Sequence, residues 1–184
     1  MPDRDPRLLL VHAWLDDVLP GLFAAQGWGD VPPAKLLPAS SDASFRRYFR
    51  WQSAQRTLII MDAPPPQEDC RPFVHVQELM QAAGLPVPQI HAWDEAHGFM
   101  LLSDLGGQTA IERLDEAQPA AAHAWYLQAV DLLLDWQKAS RPGVLPAYDD
   151  ALLRRELQLF PDWYIARHRQ VTLTDAQQAT LAKA

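Results

Sequence analysis

Apolar and polar positions along the chain follow two different periods, and the change between them divides it. From about Asp5 to Ala25, Leu8, Val11, Leu15, Val18, Leu19 and Leu22 recur every three or four positions, which predicts an amphipathic helix that Pro20 kinks or ends. Gly27, Gly29, Pro32 and Pro33 then mark a linker. Short runs follow, at residues 35–38, 45–51 and 57–63, with "SSDAS" and "SAQR" between them; this spacing predicts a three-stranded meander ended by Pro64 to Pro66. Helical spacing returns in "EDCRPFVHVQELMQAAG", where Asp69 can cap, Pro72 fits the first turn, Phe73, Val76, Met80 and Ala83 share a side, and Gly84 ends the helix. Two more strands are predicted in "VPQIHAWD" and "GFMLLSDLGG", around a turn at Glu95 to Gly98.

Beyond Gly106 and Gly107 every signal is helical: a short segment near 109–115, a long one over about 119–138, an amphipathic one with Leu152, Leu153, Leu157, Phe160 and Trp163 that Pro161 kinks, and a last one from "TLTDAQQATLAKA". Strands and helices are segregated, so the expected class is α+β: a five-stranded antiparallel sheet with one inserted helix, then helices. The expected divisions are an N-terminal helix and linker over 1–30, a sheet lobe over 31–105 and a helical lobe over 106–184, hinged at the glycine pair.

Composition changes this picture only by exclusion. The formal charge of −7 argues against a general nucleic-acid binder, since only Arg46, Arg47, Arg50 and Arg56 offer a local basic cluster. Cys70 is the single cysteine, so an intrachain disulfide and a cysteine-rich metal site are both excluded. At the helix start its thiol could gain some reactivity, but burial as a small apolar side chain is the better expectation. The histidines have no paired metal-ligand spacing. No signal-peptide pattern opens the chain and no run reads as membrane-spanning, so a cytoplasmic protein is expected.

The predicted order of elements is that of the small lobe of a protein-kinase-like phosphotransferase, in which the turn between the first two strands lies over the phosphates of ATP. In "SSDAS", Ser40, Ser41 and Ser44 bring small hydroxyls, Asp42 and Ala43 complete the turn, and Arg46 or Arg47 can supply positive charge. A serine-rich hairpin is also ordinary turn chemistry.

The segments "LPASSDASFRRYFR", "LIIMDAPPPQEDCRPF", "GLPVPQIHAWD", "GFMLLSDLGG" and "YDDALLRRELQLFPDWY" resemble the anomeric N-acetylmuramate/N-acetylglucosamine kinases of bacterial cell-wall recycling, in the aminoglycoside phosphotransferase superfamily. The resemblance runs over nearly the whole chain. It implies ATP and an amino sugar as small-molecule substrates, Mg²⁺ as a cofactor, and transfer of the γ-phosphate to the C1 hydroxyl. It also implies that Leu102 sits behind the adenine, with the Ser103 carbonyl and the Leu105 N–H gripping its edge.

Two departures from the pattern stand out. The third-strand lysine of kinase-like folds falls on Met61 or Asp62, and the chain's lysines, Lys35, Lys138 and Lys183, lie elsewhere; the charge is then expected from Arg46 or Arg47, with Glu78 lacking its usual partner. The H-x-D-x-x-x-x-N loop that supplies proton acceptor and metal ligand is missing: the chain has no asparagine, and no histidine is followed two positions later by aspartate. No catalytic residue is therefore assigned, and the expectation is the N-terminal part of a longer kinase, inactive alone and prone to self-association through Trp125, Trp136 or Leu157. Glu156, Asp162 and Trp163 are the candidates for sugar contacts, although a helix-spaced tryptophan such as Trp163 is more often core packing. The open alternatives are a choline, homoserine or aminoglycoside phosphotransferase and a non-catalytic module whose arginines and aromatics bind a partner or RNA.

Overall fold

A computed structural model describes residues 5–41, 44–115 and 118–183. The chain separates into two compact units, residues 1–139 and 140–184.

In the first unit the strands are β1 (Lys35–Ser41), β2 (Arg47–Gln52), β3 (Thr57–Asp62), β4 (Ile90–Asp94) and β5 (Phe99–Ser103). They form one antiparallel sheet in the order β1-β2-β3-β5-β4. Helix α1 (Pro6–Gln26) precedes the sheet and α2 (Arg71–Ala82) joins β3 to β4. The α+β class and the five strands with one inserted helix are as the sequence predicts.

Side chains alternate across each strand, so the two helices find different apolar faces. Val11, Leu15, Leu19 and Phe23, four apart along α1, bury against Trp51, Leu58, Ile60, Phe99 and Leu101. On the other face Met61, Ala63, Met100 and Leu102 pack with Cys70, while Phe73 and Val74 of α2 and Tyr48 and Trp93 of the sheet close the cluster. Cys70 is buried, and burial pushes its thiol pKa up, which opposes thiolate chemistry.

Three expectations change. Pro20 does not end α1, which runs to Gln26 and stops at Gly27 in the left-handed conformation. Pro20 lies on the exposed side, where water can satisfy the carbonyl it leaves unbonded, and Leu19 and Phe23 hold both flanks to the sheet. At 21 residues α1 is also the one described helix long and apolar enough to cross a membrane, contrary to the sequence reading, but its apolar stripe faces the sheet. In α2 the inward side runs through Phe73, Val74 and Gln77; Gln77 is buried, and its amide donates to the Pro88 carbonyl at 3.0 Å.

Gly98 closes the turn between β4 and β5 with φ +72°, donating to Asp94 and accepting from the Ala63 N–H. A Cβ there would lie 1.9 Å from the Ala63 carbonyl oxygen, so only glycine fits. Helices α3 (Ala110–Arg113) and α4 (Pro119–Ala139) complete this unit, and α4 has no buried residue.

In the second unit, α5 (Asp150–Leu159) continues without a break into a π-helical segment, Phe160–His168, and α6 (Asp175–Leu181) follows. Pro161 thus sits where the helix changes winding.

Candidate functional site

The face that carries Met61 and Leu102 also carries the residues that tie the turn and the hinge to the sheet. Tyr48 pairs across to Met61 and Arg50 to Ile59, so both lie on this face, and Arg46 shares it two positions before Tyr48. Arg50 forms a two-pronged ion pair with Asp104, Nε to Oδ2 at 2.7 Å and Nη2 to Oδ1 at 3.1 Å, and donates again to the Gly106 carbonyl at 2.8 Å. Such fork-on-fork pairs are directional as well as charged. The Arg50 side chain therefore draws the main chain after β5 back toward β2. Burial works against Asp104 ionising, but the bonds from Arg50, the Gly106 N–H and Thr57 outweigh it and hold its pKa below the usual carboxylate value.

Turn and hinge lie at opposite ends of the strands. Ser41, Arg47, Asp62 and Phe99 make one cross-strand row, and Leu36, Trp51, Leu58 and Ser103 another. Phe99 and Ser103 are four positions apart in β5, about 14 Å at ~3.4 Å per residue. A ligand reaching both must be elongated and lie along the strands. At the hinge end of β1 and β2 a concavity of about 490 Å³ is lined in part by Lys35, Leu37, Gln52 and Ser53. Leu37 pairs across to Arg50 and is exposed, an apolar patch on the same face.

The residues singled out from the sequence divide between two faces. Ser40 and Ser41 end β1 beyond a bulge that follows Pro38, and the Ser44 hydroxyl accepts from the Arg46 N–H at 3.1 Å; Asp42 and Ala43 lie outside the described residues. Arg46 donates from Nε to Glu68 at 2.9 Å, and the other Glu68 oxygen accepts from the Phe45 N–H at 3.0 Å. Arg47 turns to the α1 face. Its Nε donates to Asp62 at 3.0 Å and its Nη1 bonds Asp5, while Arg7 Nε donates to the same Asp62 at 2.9 Å. Asp62 is 0% exposed. The pair with Arg47 is the main cause lowering the Asp5 pKa, and Asp5 also caps α1 through the Arg7 and Leu8 N–H groups.

At the hinge, Leu102 is buried beside Met61, and Ser103 is fixed by its N–H to the Gln89 carbonyl and its hydroxyl from the Gln89 N–H, both at 2.9 Å. Leu105 is 68% exposed. At the third-strand lysine position, Met61 is the residue on the α2 face, at 0% exposure, and Glu78 is exposed.

In the second unit, Asp162 accepts from the Gln158 amide at 2.9 Å, the Trp163 ring is exposed under the Arg167 guanidinium at 4.1 Å, and Glu156 meets Arg155 at 3.4 Å. Among the described residues, then, Trp163 is not packed in a core. The apolar concavity of that unit, between Ile165, Leu173 and Leu181, includes none of the three.

Comparison with known proteins fixes the family. The model of the phosphotransferase enzyme family, APH, matches residues 35–184. The chain belongs to that family. Among curated relatives of this family member is an N-acetylmuramate/N-acetylglucosamine kinase of Pseudomonas aeruginosa, 60% identical over 169 residues, covering 92% of this chain and 49% of the relative. A kinase of the same name from Pseudomonas putida is 51% identical over 180 residues, covering 98% and 52%. One from Neisseria meningitidis is 41% identical over 142 residues, covering 76% and 42%. The chain spans about half the length of the curated relatives it matches. These matches agree with the resemblance read from the motifs.

Within the phosphotransferase lobe, sequence reasoning passed over Arg50, Asp104 and Glu68. Arg50 carried a weak signal, four positions after Arg46 and hence on its side of the strand. Asp104 stands two positions before the first glycine of the pair, where a carboxylate can organise a turn, and its Oδ1 accepts from the Gly106 N–H at 2.9 Å. For Glu68 nothing local points to the turn 22 residues earlier.

Proposed function

We propose that the chain is the nucleotide-binding part, with the first helices that follow, of a cytoplasmic ATP-dependent kinase that phosphorylates the anomeric hydroxyl of N-acetylmuramate and N-acetylglucosamine in peptidoglycan recycling. One observation carries the nucleotide half of this reading. A single sheet face holds Phe45 and Arg46, which enter β2 after the serine-rich segment, at one end through Glu68, and the main chain after β5 at the other through Arg50.

In this scheme the adenine lies at the hinge end, between Leu37 and Leu102, its edge held by the Ser103 carbonyl and the Leu105 N–H. Backbone groups suit that task because they are already ordered by the strand. The phosphates run along the strands to Ser40, Ser41, Asp42, Ala43 and Ser44, with Arg46 as the cation on that face. Arg47 is left out of the phosphate site, because Asp62 and Asp5 engage it on the opposite face. Mg²⁺ is expected to be held by an H-x-D-x-x-x-x-N loop and a later Asp, which these 184 residues do not contain; among the described residues no group of three or more His, Cys, Asp or Glu side chains could hold a metal ion. Glu156, Asp162 and Trp163 are proposed to meet the sugar through hydroxyl hydrogen bonds and ring stacking. The names of the relatives favour an amino sugar over choline or an aminoglycoside as acceptor. Lacking an H-x-D-x-x-x-x-N loop, these 184 residues bind nucleotide weakly and do not turn it over.

Calorimetric titration of the chain with ATP tests the proposal. ATP should bind, and Leu105→Pro, which removes the N–H donor at an exposed position, should lose binding with the melting temperature held. Salt-sensitive binding of single-stranded RNA, with no response to ATP, would replace this reading by the RNA module.

A further inference from the structure

We infer that Glu68 is a positioning residue for the nucleotide phosphates: it holds Arg46 and the turn together, and the Arg46–Glu68 pair takes the place of the third-strand lysine and helix glutamate of kinase-like folds. The inference rests on the nucleotide reading above.

The usual arrangement is closed to this chain. Met61 is sealed among Ala63, Cys70, Met100 and Leu102, and Glu78 points to solvent. A cation at Met61 would be buried in an apolar cluster with no carboxylate to meet it. Arg46 enters the same face from the turn end of β2, where the phosphates are expected. The Glu68 side chain, only 11% exposed, meets Arg46 and the Phe45 N–H with its two oxygens, and its own N–H is held by the Pro64 carbonyl at 3.1 Å. One carboxylate therefore fixes both a cation and the Phe45 main chain, where the connection enters β2, to the segment leading into α2. That ordering is complete before any ligand arrives.

The guanidinium has donors to spare. Of its five N–H groups Glu68 takes one, at Nε, and the Tyr48 hydroxyl engages the guanidinium as well, which leaves donors that can serve a phosphate oxygen while the carboxylate holds the Nε edge. Partial burial would lower the Arg46 pKa, but hydrogen bonds to Glu68 and the Tyr48 hydroxyl outweigh it, and the net shift is upward; the side chain stays charged.

The test is a titration series of adenosine, ADP and ATP against the 184-residue chain, the Arg46→Gln variant and the Glu68→Gln variant, with melting temperatures as the fold control. The unaltered chain should bind ATP more tightly than adenosine. Arg46→Gln should cut ATP affinity at least about tenfold, the worth of a charge-assisted hydrogen bond, and leave adenosine affinity unchanged. Glu68→Gln keeps an acceptor for Phe45 but loses the charge pair, and should lower ATP affinity by a smaller factor, again without effect on adenosine. A merely structural role would weaken both ligands together or lower the melting temperature alone, and either result overturns the inference. If Arg46→Gln does not fold, Glu68→Gln decides by the same ratio. An ATP-to-adenosine preference intact in both variants overturns the inference and leaves the nucleotide reading standing; no binding of any adenine ligand by the unaltered chain overturns both.

Discussion

Asp62 is the residue whose surroundings are most demanding. It is fully buried on the α1 face, yet both its oxygens are used, one by Arg7 from α1 and one by Arg47 from β2. Removing one partner from such a group leaves charge without compensation. Asp62→Ala should therefore lower stability by about 3 kcal/mol, the low end for breaking a buried pair because the two guanidinium groups remain partly in water; urea unfolding reads it. Gly98→Ala should be at least as costly as the strain of a left-handed alanine, about 2 kcal/mol, since its Cβ would also strike the Ala63 carbonyl. Acid tests the carboxylates. Asp104 and Asp5 have folded pKa values below their ordinary 3.8, so the stability each contributes is complete above the unfolded value and is lost as pH falls through the folded one. Asp104→Asn should accordingly flatten the stability curve below about pH 4 and leave it displaced, but parallel, near neutrality. An unchanged acid limb would contradict the Arg50–Asp104 assignment. At this scale the sequence is least legible: the Arg46 and Arg47 side chains are adjacent and chemically identical, and only the strand's alternation, with partners 15 to 42 residues away, sends one to Glu68 and the other to Asp62 and Asp5.

Elements are far easier to read. The period-two runs of β2 and β3, the glycine turns and the four-spaced stripe of α1 are local signals, and each gives the element found. Failures occur where packing overrides a local rule. Pro20 breaks helices in isolation, but flanking contacts from Leu19 and Phe23 carry α1 through it. Pro20→Ala should consequently stabilise the protein by about 1–2 kcal/mol, less than the full ~3 kcal/mol proline penalty because the backbone is already fitted to it; thermal unfolding checks the sign. The inward side of α2 was misplaced by one position because Gln77 is polar, and the Pro88 carbonyl that satisfies it is not visible in the helix's own sequence. The end of β5 is legible in "LLSDLGG", but the anchoring of the main chain that follows it is not, since Arg50 lies two strands away in the order of the sheet.

For the whole molecule, the class and family follow from the order of elements and the spread of motifs, which accumulate over many residues and tolerate local errors. The site's depth of detail does not, because it depends on which side chains meet across the sheet. Trp125 and Leu157 are exposed as the sequence predicts, Trp136 is half-buried, and α4 also exposes Tyr126, Val130 and Leu133. Apolar surface of that kind favours self-association, so sedimentation velocity should show concentration-dependent oligomers; a clean monomer that does not bind an apolar dye would contradict this. The proposed function has an adenine nucleotide lying along the α2-side face of the sheet, from the end of β5 to the connection before β2. Amide resonances followed while a non-hydrolysable ATP analogue is added should shift in two clusters, at Ser40–Arg46 and at Leu105–Gly107, with α1 silent; shifts confined to the α1 face, or to one of the two ends alone, would rule it out.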